Sequence, residues 1–347
     1  MVLVFLVFAM VWGIGWAMGA AVRQRFAAVA GLWVLVVLAL LMLPEGSLRA
    51  ALGGDLRGWL LLGGVVALIW AYRAGLGWLR ARALPPVTPE AAAFSEAELG
   101  RYARHLLLRE IGGPGQQRLK QARVLVSGAG GLGSPICLYL AASGVGTIGV
   151  VDPDRIESSN LQRQIIHRDA GIGGSKAHSA AAAMRALNPF ISVQVHEQRL
   201  VAGNAEALIG AHDLVLDGSD NFDTRYLVNA TCVALRKPLI SGAMTQWEGQ
   251  LSLYAPHLGS PCYQCVFPDR PAPGMVPACA EAGVAAPLPG VMGAMMAMEA
   301  VKHLTGAGQS LAGRLVLHDA LHAEHRVIKV KPRPDCPICG QKHSENT

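Results

Sequence analysis

Charge is scarce in this chain: 16% of its 347 residues are Asp, Glu, Lys or Arg, against 52% that are hydrophobic. That balance excludes a disordered polyelectrolyte, and it exceeds what a water-soluble globule needs for its core, so part of the chain is expected in lipid. An acidic excess is also lacking, since the formal net charge is +6. The positive excess does not describe a nucleic-acid binder, because residues 1–83 hold seven arginines against Glu45 and Asp55 and the remainder is nearly neutral. Without a basic face in that remainder, no nucleic-acid partner is expected. Cysteine is sparse as well, 7 residues in all.

Long charge-free runs fill the N-terminal end. Residues 2–22, 26–44 and 58–79 are three apolar stretches, the third gaining length by letting Arg73 snorkel. Six of the seven Trp (12, 16, 33, 59, 70 and 78) fall here, several near the ends of the runs, as interfacial anchors do. A signal peptide would need a basic segment before its apolar run, and none precedes Val2. Residues 1–83 are therefore expected to form a membrane region of two or three transmembrane helices. With three, the arginine pattern (Arg23 and Arg25, then Arg73, Arg80 and Arg82) places the N-terminus outside and everything after the third helix in the cytoplasm, at the inner membrane.

Leu84-Pro85-Pro86-Val87-Thr88-Pro89 is a stiff break, and residues 84–93 read as a linker. From residue 94 to 347 the pattern becomes α/β. Ser95-Glu96-Ala97-Glu98 is a capping box opening a helix to about Arg109. Strands are expected at 123–128, 147–152, 193–196, 214–217 and 238–242, with a helix at 131–142. The fold class is α/β: a Rossmann-like nucleotide-binding domain with a mainly parallel, helix-covered sheet, plus N-terminal transmembrane helices.

Gly128, Gly130, Gly131 and Gly133 fall where the first strand turns into a helix, so backbone N–H groups at the helix start can face a phosphate. Asp152 ends the next strand, placed to accept from a ribose hydroxyl. This much also fits an NAD-dependent oxidoreductase. Arg163, in Asn160-Leu161-Gln162-Arg163-Gln164, and Lys176 suit it less, because two cations behind the loop suggest a triphosphate whose charge must be neutralised. Asp220 follows a strand end, where an acid can hold Mg²⁺; Asp217 shares that neighbourhood.

Cys262 with Cys265, and Cys336 with Cys339, form two Cys-x-x-Cys knuckles that together can close a tetrahedral zinc site. Cys137 and Cys232 lie in apolar helical stretches and read as buried thiols, whereas Cys279, in a Pro/Gly-rich loop, is a candidate nucleophile. His318, His322 and His325 fall around the tip of an expected hairpin and read as solvent-facing.

Taken together, Arg101-Tyr102-Ala103-Arg104, Gly128–Gly133, Asp152-Pro153-Asp154, Ser159-Asn160-Leu161-Gln162-Arg163, Lys176, Asp220-Asn221, the stretch 281–287 and the two knuckles closely resemble the MoeB/ThiF/HesA family, bacterial relatives of the ubiquitin-activating enzymes. Within it, the likeness is greatest to the molybdopterin-synthase adenylyltransferases, and the thiamine-pathway type fits many of the same residues. The resemblance implies that a ubiquitin-like sulfur-carrier protein ending in Gly-Gly is adenylated by ATP, most plainly for molybdenum cofactor biosynthesis. It implies that Asp220 holds Mg²⁺, that Arg163 and Lys176 stabilise phosphates, and that Asp152 and Asn160 fix the ribose and phosphate end. Asp154, Ser159, Leu161, Gln162 and Asn221 belong to the same motifs. Arg104 would enter from the partner subunit of a homodimer, and Cys279 matches a loop cysteine that some relatives use covalently. The membrane region departs from the usual family pattern, and no rhodanese-like segment follows the second knuckle, so a separate sulfurtransferase is expected.

Overall fold

The computed structural model describes residues 2–53, 55–82, 94–271 and 282–340. The chain divides into two compact units, Met1–Val87 and Thr88–Thr347.

The first unit is helical: α1 (Val2–Ala17), α2 (Val22–Met42), the short α3 (Ser47–Ala51) and α4 (Leu56–Arg82). The first apolar run is shorter as a helix than its length suggested. Bonds from Met18 N to Ile14 O and from Ala20 N to Gly15 O close α1 at 16 residues, about 24 Å, and Arg23 and Arg25 then fall in the first turn of α2 rather than in a loop. The third run is longer than expected, reaching Arg82. By length and composition, Val22–Met42 and Ser47–Leu76 are long and apolar enough to cross a membrane. Val4, Val36, Leu40 and Trp59 form the unit's core. Trp59 is fully buried, its indole donating to Leu52 O at 3.1 Å, while Trp33 donates to Trp59 O at 3.2 Å. A second aromatic group stacks Phe26 edge-on against Trp12 (4.9 Å) and Trp70 (5.6 Å), which sets the start of α2, the second half of α1 and Trp70 at one level. The expected linker 84–93 lies outside the described residues.

The second unit is built on one sheet in the order β3-β2-β1-β4-β5-β6-β7-β8. Its strands are β1 (Arg123–Ser127), β2 (Thr147–Val151), β3 (Ser192–His196), β4 (Leu214–Asp217), β5 (Leu239–Met244), β6 (Glu248–Tyr254), β7 (Arg314–Asp319) and β8 (Glu324–Lys329). The first five strands are parallel, whereas β5–β6, β6–β7 and β7–β8 pair antiparallel, so the sheet is mixed, with parallel pairings in the majority and an antiparallel end that the sequence reading did not specify. The cause is connection length: Thr245 N bonds Glu248 O at 2.8 Å in a tight turn between β5 and β6, leaving no chain for a crossover helix.

Alternation along the parallel strands makes two cores. Val124, Val126, Ile148, Val150, Leu214 and Leu216 pack under α7 (Gly133–Ser143), α8 (Lys176–Leu187) and α12 (Leu288–Thr305), which follows the short α11 (Tyr263–Val266) in the chain. Leu125, Val151, Val215 and Leu239 face the other way, onto α9 (Ala202–Gly210) and α10 (Phe222–Ala234). Cys137 and Cys232 are buried in these two layers, and burial pushes the Cys137 thiol up to about 12, so both are packing groups. His318 is half-buried within β7, opposite His325 of β8, and only His322 sits in the hairpin turn.

The capping box is present at α5 (Glu96–Leu106): Ser95 N donates to Glu98 Oε2 at 2.8 Å and Glu98 N to Ser95 Oγ at 3.2 Å. The helix stops three residues short of Arg109, where Leu107 N caps it on Ala103 O. Glu98 pairs with Lys120 of α6 (Gly112–Gln121) at 2.7 Å, and Tyr102 OH accepts from Asn188 Nδ2 at 2.8 Å. Asn188 caps the end of α8, and Gly144, against which the Tyr102 ring lies, caps the end of α7. Helix α5 therefore sits at the sheet edge where the parallel strands begin.

Burial lowers the pKa of His167, His196, His212, His257 and His303. The unfolded chain takes up these protons more readily than the folded one, so stability is lost as pH falls below ~6.5. Asp152, raised by burial, opposes this but starts from a carboxylate's lower value. The melting temperature of the second unit is expected to drop between about pH 7.5 and about pH 5.5, and calorimetry showing no drop would contradict this reading.

Candidate active site

The glycine loop leaves β1 at Gly128, whose φ of +92° suits a residue without Cβ, and Gly128 N bonds Val151 O at 2.9 Å. A Cβ at Gly133 would lie 1.9 Å from Gly128 O, so the start of α7 can press against the strand end only as glycine. Gly131 backs onto Pro289 of α12, and the Gly130 carbonyl accepts from Ser134 Oγ at 2.7 Å. Buried Asp152 fixes the loop from one side, Oδ2 accepting Ala129 N at 2.7 Å and Oδ1 accepting Asp154 N at 2.8 Å. Burial raises its pKa, and these two N–H groups work against that. From the other side His167 Nε2 donates to Ala129 O at 3.0 Å, which leaves Nδ1 to accept from Ser179 Oγ at 3.0 Å. Burial lowers the His167 pKa and so favours the neutral ring this pattern needs.

The two expected cations lie along the same rim. Asn160 is buried; its carbonyl receives Arg163 N at 3.1 Å, and its Nδ2 donates to Ser159 Oγ at 3.3 Å. Arg163 is half-buried, with Nη1 on Ser159 O at 3.1 Å. Leu161 is half-buried and Gln162 exposed, but Gln164 is buried with its amide nitrogen 3.7 Å from where a Gly130 Cβ would be, which brings this segment against the loop. Lys176 is the first residue of α8, only 7% exposed, and its Nζ pairs with Asp154 Oδ2 at 3.0 Å. A cation at a helix N-terminus opposes the macrodipole, so its burial there is a cost that an anionic ligand would offset.

The acid comes from the next strand. Gly218 N bonds Ser127 O at 3.0 Å, and a Cβ on Gly218 would stand 3.1 Å from Leu132, so residues 218–221 lie against the glycine loop. Asp220 is exposed and has no bonding partner among the described residues. Asn221 has a structural task instead, as the N-cap of α10, accepting Thr224 N at 2.9 Å. Asp217 is fully buried beneath them, its Oδ1 accepting Ser219 N at 3.0 Å.

Arg104 is not brought to this site. It is exposed on α5, which sits at the far end of α7, an 11-residue helix of about 16 Å, from the glycine loop. Cys279 lies outside the described residues, as does residue 281. Three site residues escaped the sequence reading: His167, Gln164 and Arg225. The last is buried in the first turn of α10 and donates to Gly242 O at 2.8 Å and to Ser219 O. The available signals were a second Gln behind Arg163, and a cation in the first turn of a helix where only anions are favoured.

Apart from this rim, Cys262, Cys265, Cys336 and Cys339 are all buried, with sulfurs within 4.8 Å of one another. The separations 3.8, 3.6 and 3.3 Å compare with the ~3.8 Å edge of a tetrahedron of sulfurs ~2.3 Å from a zinc ion, so the four could hold a metal.

A model of the ThiF family matches residues 102–338. The chain is 48% identical over 256 residues to the sulfur carrier protein adenylyltransferase of Thermus thermophilus, covering 73% of this chain and 94% of that protein. It is 49% identical over 257 residues to the probable adenylyltransferase/sulfurtransferase MoeZ of Mycobacterium tuberculosis, covering 73% of this chain but 66% of MoeZ. Among solved structures, Escherichia coli MccB with ATP has a TM-score of 0.60 at 24% identity, over 71% of this chain and 75% of that one, a likeness of fold.

Proposed function

This chain belongs to the ThiF family, and from that premise we propose that it is an ATP-dependent adenylyltransferase for the C-terminal glycine of a ubiquitin-like sulfur-carrier protein. The carrying observation is a pair of opposite charges flanking one glycine loop: Lys176 buried at the first turn of α8, and Asp220 exposed beyond β4 and unpartnered among the described residues. The carrier's carboxylate oxygen attacks the α-phosphorus of ATP, an acyl–phosphate bond forms, and the bond to pyrophosphate breaks. The nucleophile is already an anion, so no general base is required and positioning with charge neutralisation carries the rate. The N–H groups opening α7 face the phosphates, Lys176 and Arg163 offset their charge, and Asp152 and Asn160 lie at the ribose end. Mg²⁺, when held by Asp220, would draw charge from the departing pyrophosphate. The molybdenum cofactor pathway is the reading favoured, with the thiamine-pathway carrier as the alternative.

A homodimer completes this site. Arg104 stands at the wrong edge of its own sheet, so it serves a partner's nucleotide. The exposed Tyr139, Val291 and Met298 on α7 and α12 offer apolar surface for a second copy. The four cysteines hold one structural zinc, which staples the C-terminal segment to the body and leaves no open coordination position. The first unit is a membrane anchor of three helices: Leu61, Leu68 and Met42 face outward at 70%, 71% and 82% exposure, as lipid-facing groups would. The Trp12–Phe26–Trp70 level supports Arg23, Arg25 and Arg73 lying at one face of the bilayer, the cytoplasmic one.

Carrier-dependent exchange of labelled pyrophosphate into ATP is the direct assay. Asp220→Ala is expected to lower it by ~100-fold or more, the scale of a lost electrostatic group, and near-normal exchange would remove Asp220 from the mechanism. Arg104→Ala should be as poor, yet verified mixed dimers with Asp220→Ala subunits should regain activity; no regain would refute a shared site. Metal analysis should find about one zinc per chain, and Cys336→Ser should lower the melting temperature more than the exchange rate. In intact cells an impermeant thiol reagent should label a cysteine placed at position 2 and spare one at position 24, and the reverse pattern would overturn the three-helix topology.

A further inference from the structure

Ser219 precedes Asp220, and both of its peptide groups are held by buried side chains. Its N–H donates to Asp217 Oδ1 at 3.0 Å, and its carbonyl accepts from Arg225 Nη2. The other arm of the same guanidinium, Nη1, donates to Gly242 O at 2.8 Å and reaches Ser241 Oγ at 3.4 Å, both on β5. Ser241 Oγ in turn donates to Asp217 Oδ2 at 3.3 Å, closing a ring of Asp217, Ser219, Arg225 and Ser241 around the ends of β4 and β5. Arg225 is 6% exposed and Asp217 fully buried. A guanidinium taken out of water at a helix N-terminus incurs a desolvation cost and an unfavourable helix dipole, which its bonds to Ser219 O and Gly242 O offset.

What it holds is bounded on both sides. Gly218 is pinned to Ser127 O, and Asn221 is committed to capping α10. Ser219 is fixed at both peptide groups and its unpartnered hydroxyl is buried, so among the described residues Asp220 carries the turn's exposed side chain that is free of internal bonds. The far side of Arg225 is backed by Tyr254, Tyr263 and Phe267, which line a small cleft with it. Tyr263 stands between Cys262 and Cys265, and its N–H donates to Asn229 Oδ1 at 2.9 Å, one turn along α10 from Arg225.

We infer that Arg225 is a positioning residue for the adenylation centre, fixing the strand-end turn so that the Asp220 carboxylate is presented at the glycine loop, with the first cysteine knuckle as its buttress. The inference rests on the adenylyltransferase reading. Displacing a reacting group by about 1 Å can cost on the order of 100-fold, so a residue two bonds removed from the chemistry can matter as much as one that touches it.

The test uses the full chain in detergent. Arg225→Gln is expected to lower carrier-dependent pyrophosphate exchange by ~30- to 100-fold. Arg225→Lys keeps the buried charge but cannot span Gly242 O and Ser219 O together. It should keep the fold, lose about 10-fold in exchange, and need several-fold more Mn²⁺ for half-maximal rate, a change that loss of general stability would not produce. Because Arg225 acts through Asp220, adding Arg225→Lys to Asp220→Asn should cost no more than ~2-fold beyond Asp220→Asn alone. Exchange by Arg225→Lys within twofold of wild type, or losses that multiply in the double variant, overturns the inference while leaving the adenylyltransferase reading intact. Absence of exchange in the wild-type chain overturns both.

Discussion

The Asp152 carboxylate accepts Ala129 N–H from the glycine loop and Asp154 N–H from the segment beyond β2, so one buried group joins that loop to the strand beside it. Asp154 then holds Lys176 at the head of α8. Glycine loop, Asp152 and Lys176 are thus links of one chain of bonds rather than separate fittings. His167 closes the chain from the opposite flank by taking the Ala129 carbonyl. A loop this rich in glycine would otherwise sample many conformations. Its order comes from polar side chains outside it.

The same division of labour recurs at β4. There the buried Asp217 and Arg225 do the holding, and Asp220 is left exposed. At β4 the residue that the motif advertises, Asp220, is the exposed one, and Asp217 and Arg225, which fix its turn, are buried; at the glycine loop the advertised Asp152 is itself the buried holder. Such an arrangement suits a reaction whose nucleophile needs no activation and whose transition state needs charge in fixed places.

The parallel half of the fold was legible because its strands are short apolar runs bounded by charge and glycine. β4 falls on the expected residues, and β1 and β2 end one residue early. The Ser95 box was equally plain, since capping is a local pattern. The antiparallel half was legible only as the hairpin of β7 and β8, because nothing local in β6 states which neighbour it will pair with. The first helix was misjudged for a related reason: absence of charge measures what lipid would accept, whereas the backbone decides where a helix stops. At the site, charged residues behind a glycine loop announced themselves. His167 and Arg225 did not, since a buried histidine and a helical arginine are indistinguishable from ordinary core and surface until their partners are known.

The sulfur cluster also changes the connectivity of the chain. Cys262 and Cys336 are 74 residues apart in sequence and 3.6 Å apart at their sulfurs. With a metal between them the intervening polypeptide becomes a ring, carrying α12 and β7–β8 within it. Closing a ring of that size removes on the order of 4 kcal/mol of chain entropy from the unfolded state, by the argument that applies to any long-range cross-link. A single cut anywhere in the ring would then yield a nicked protein whose two fragments stay joined, and they would part only when the thiolates were protonated, oxidised or stripped of their ion.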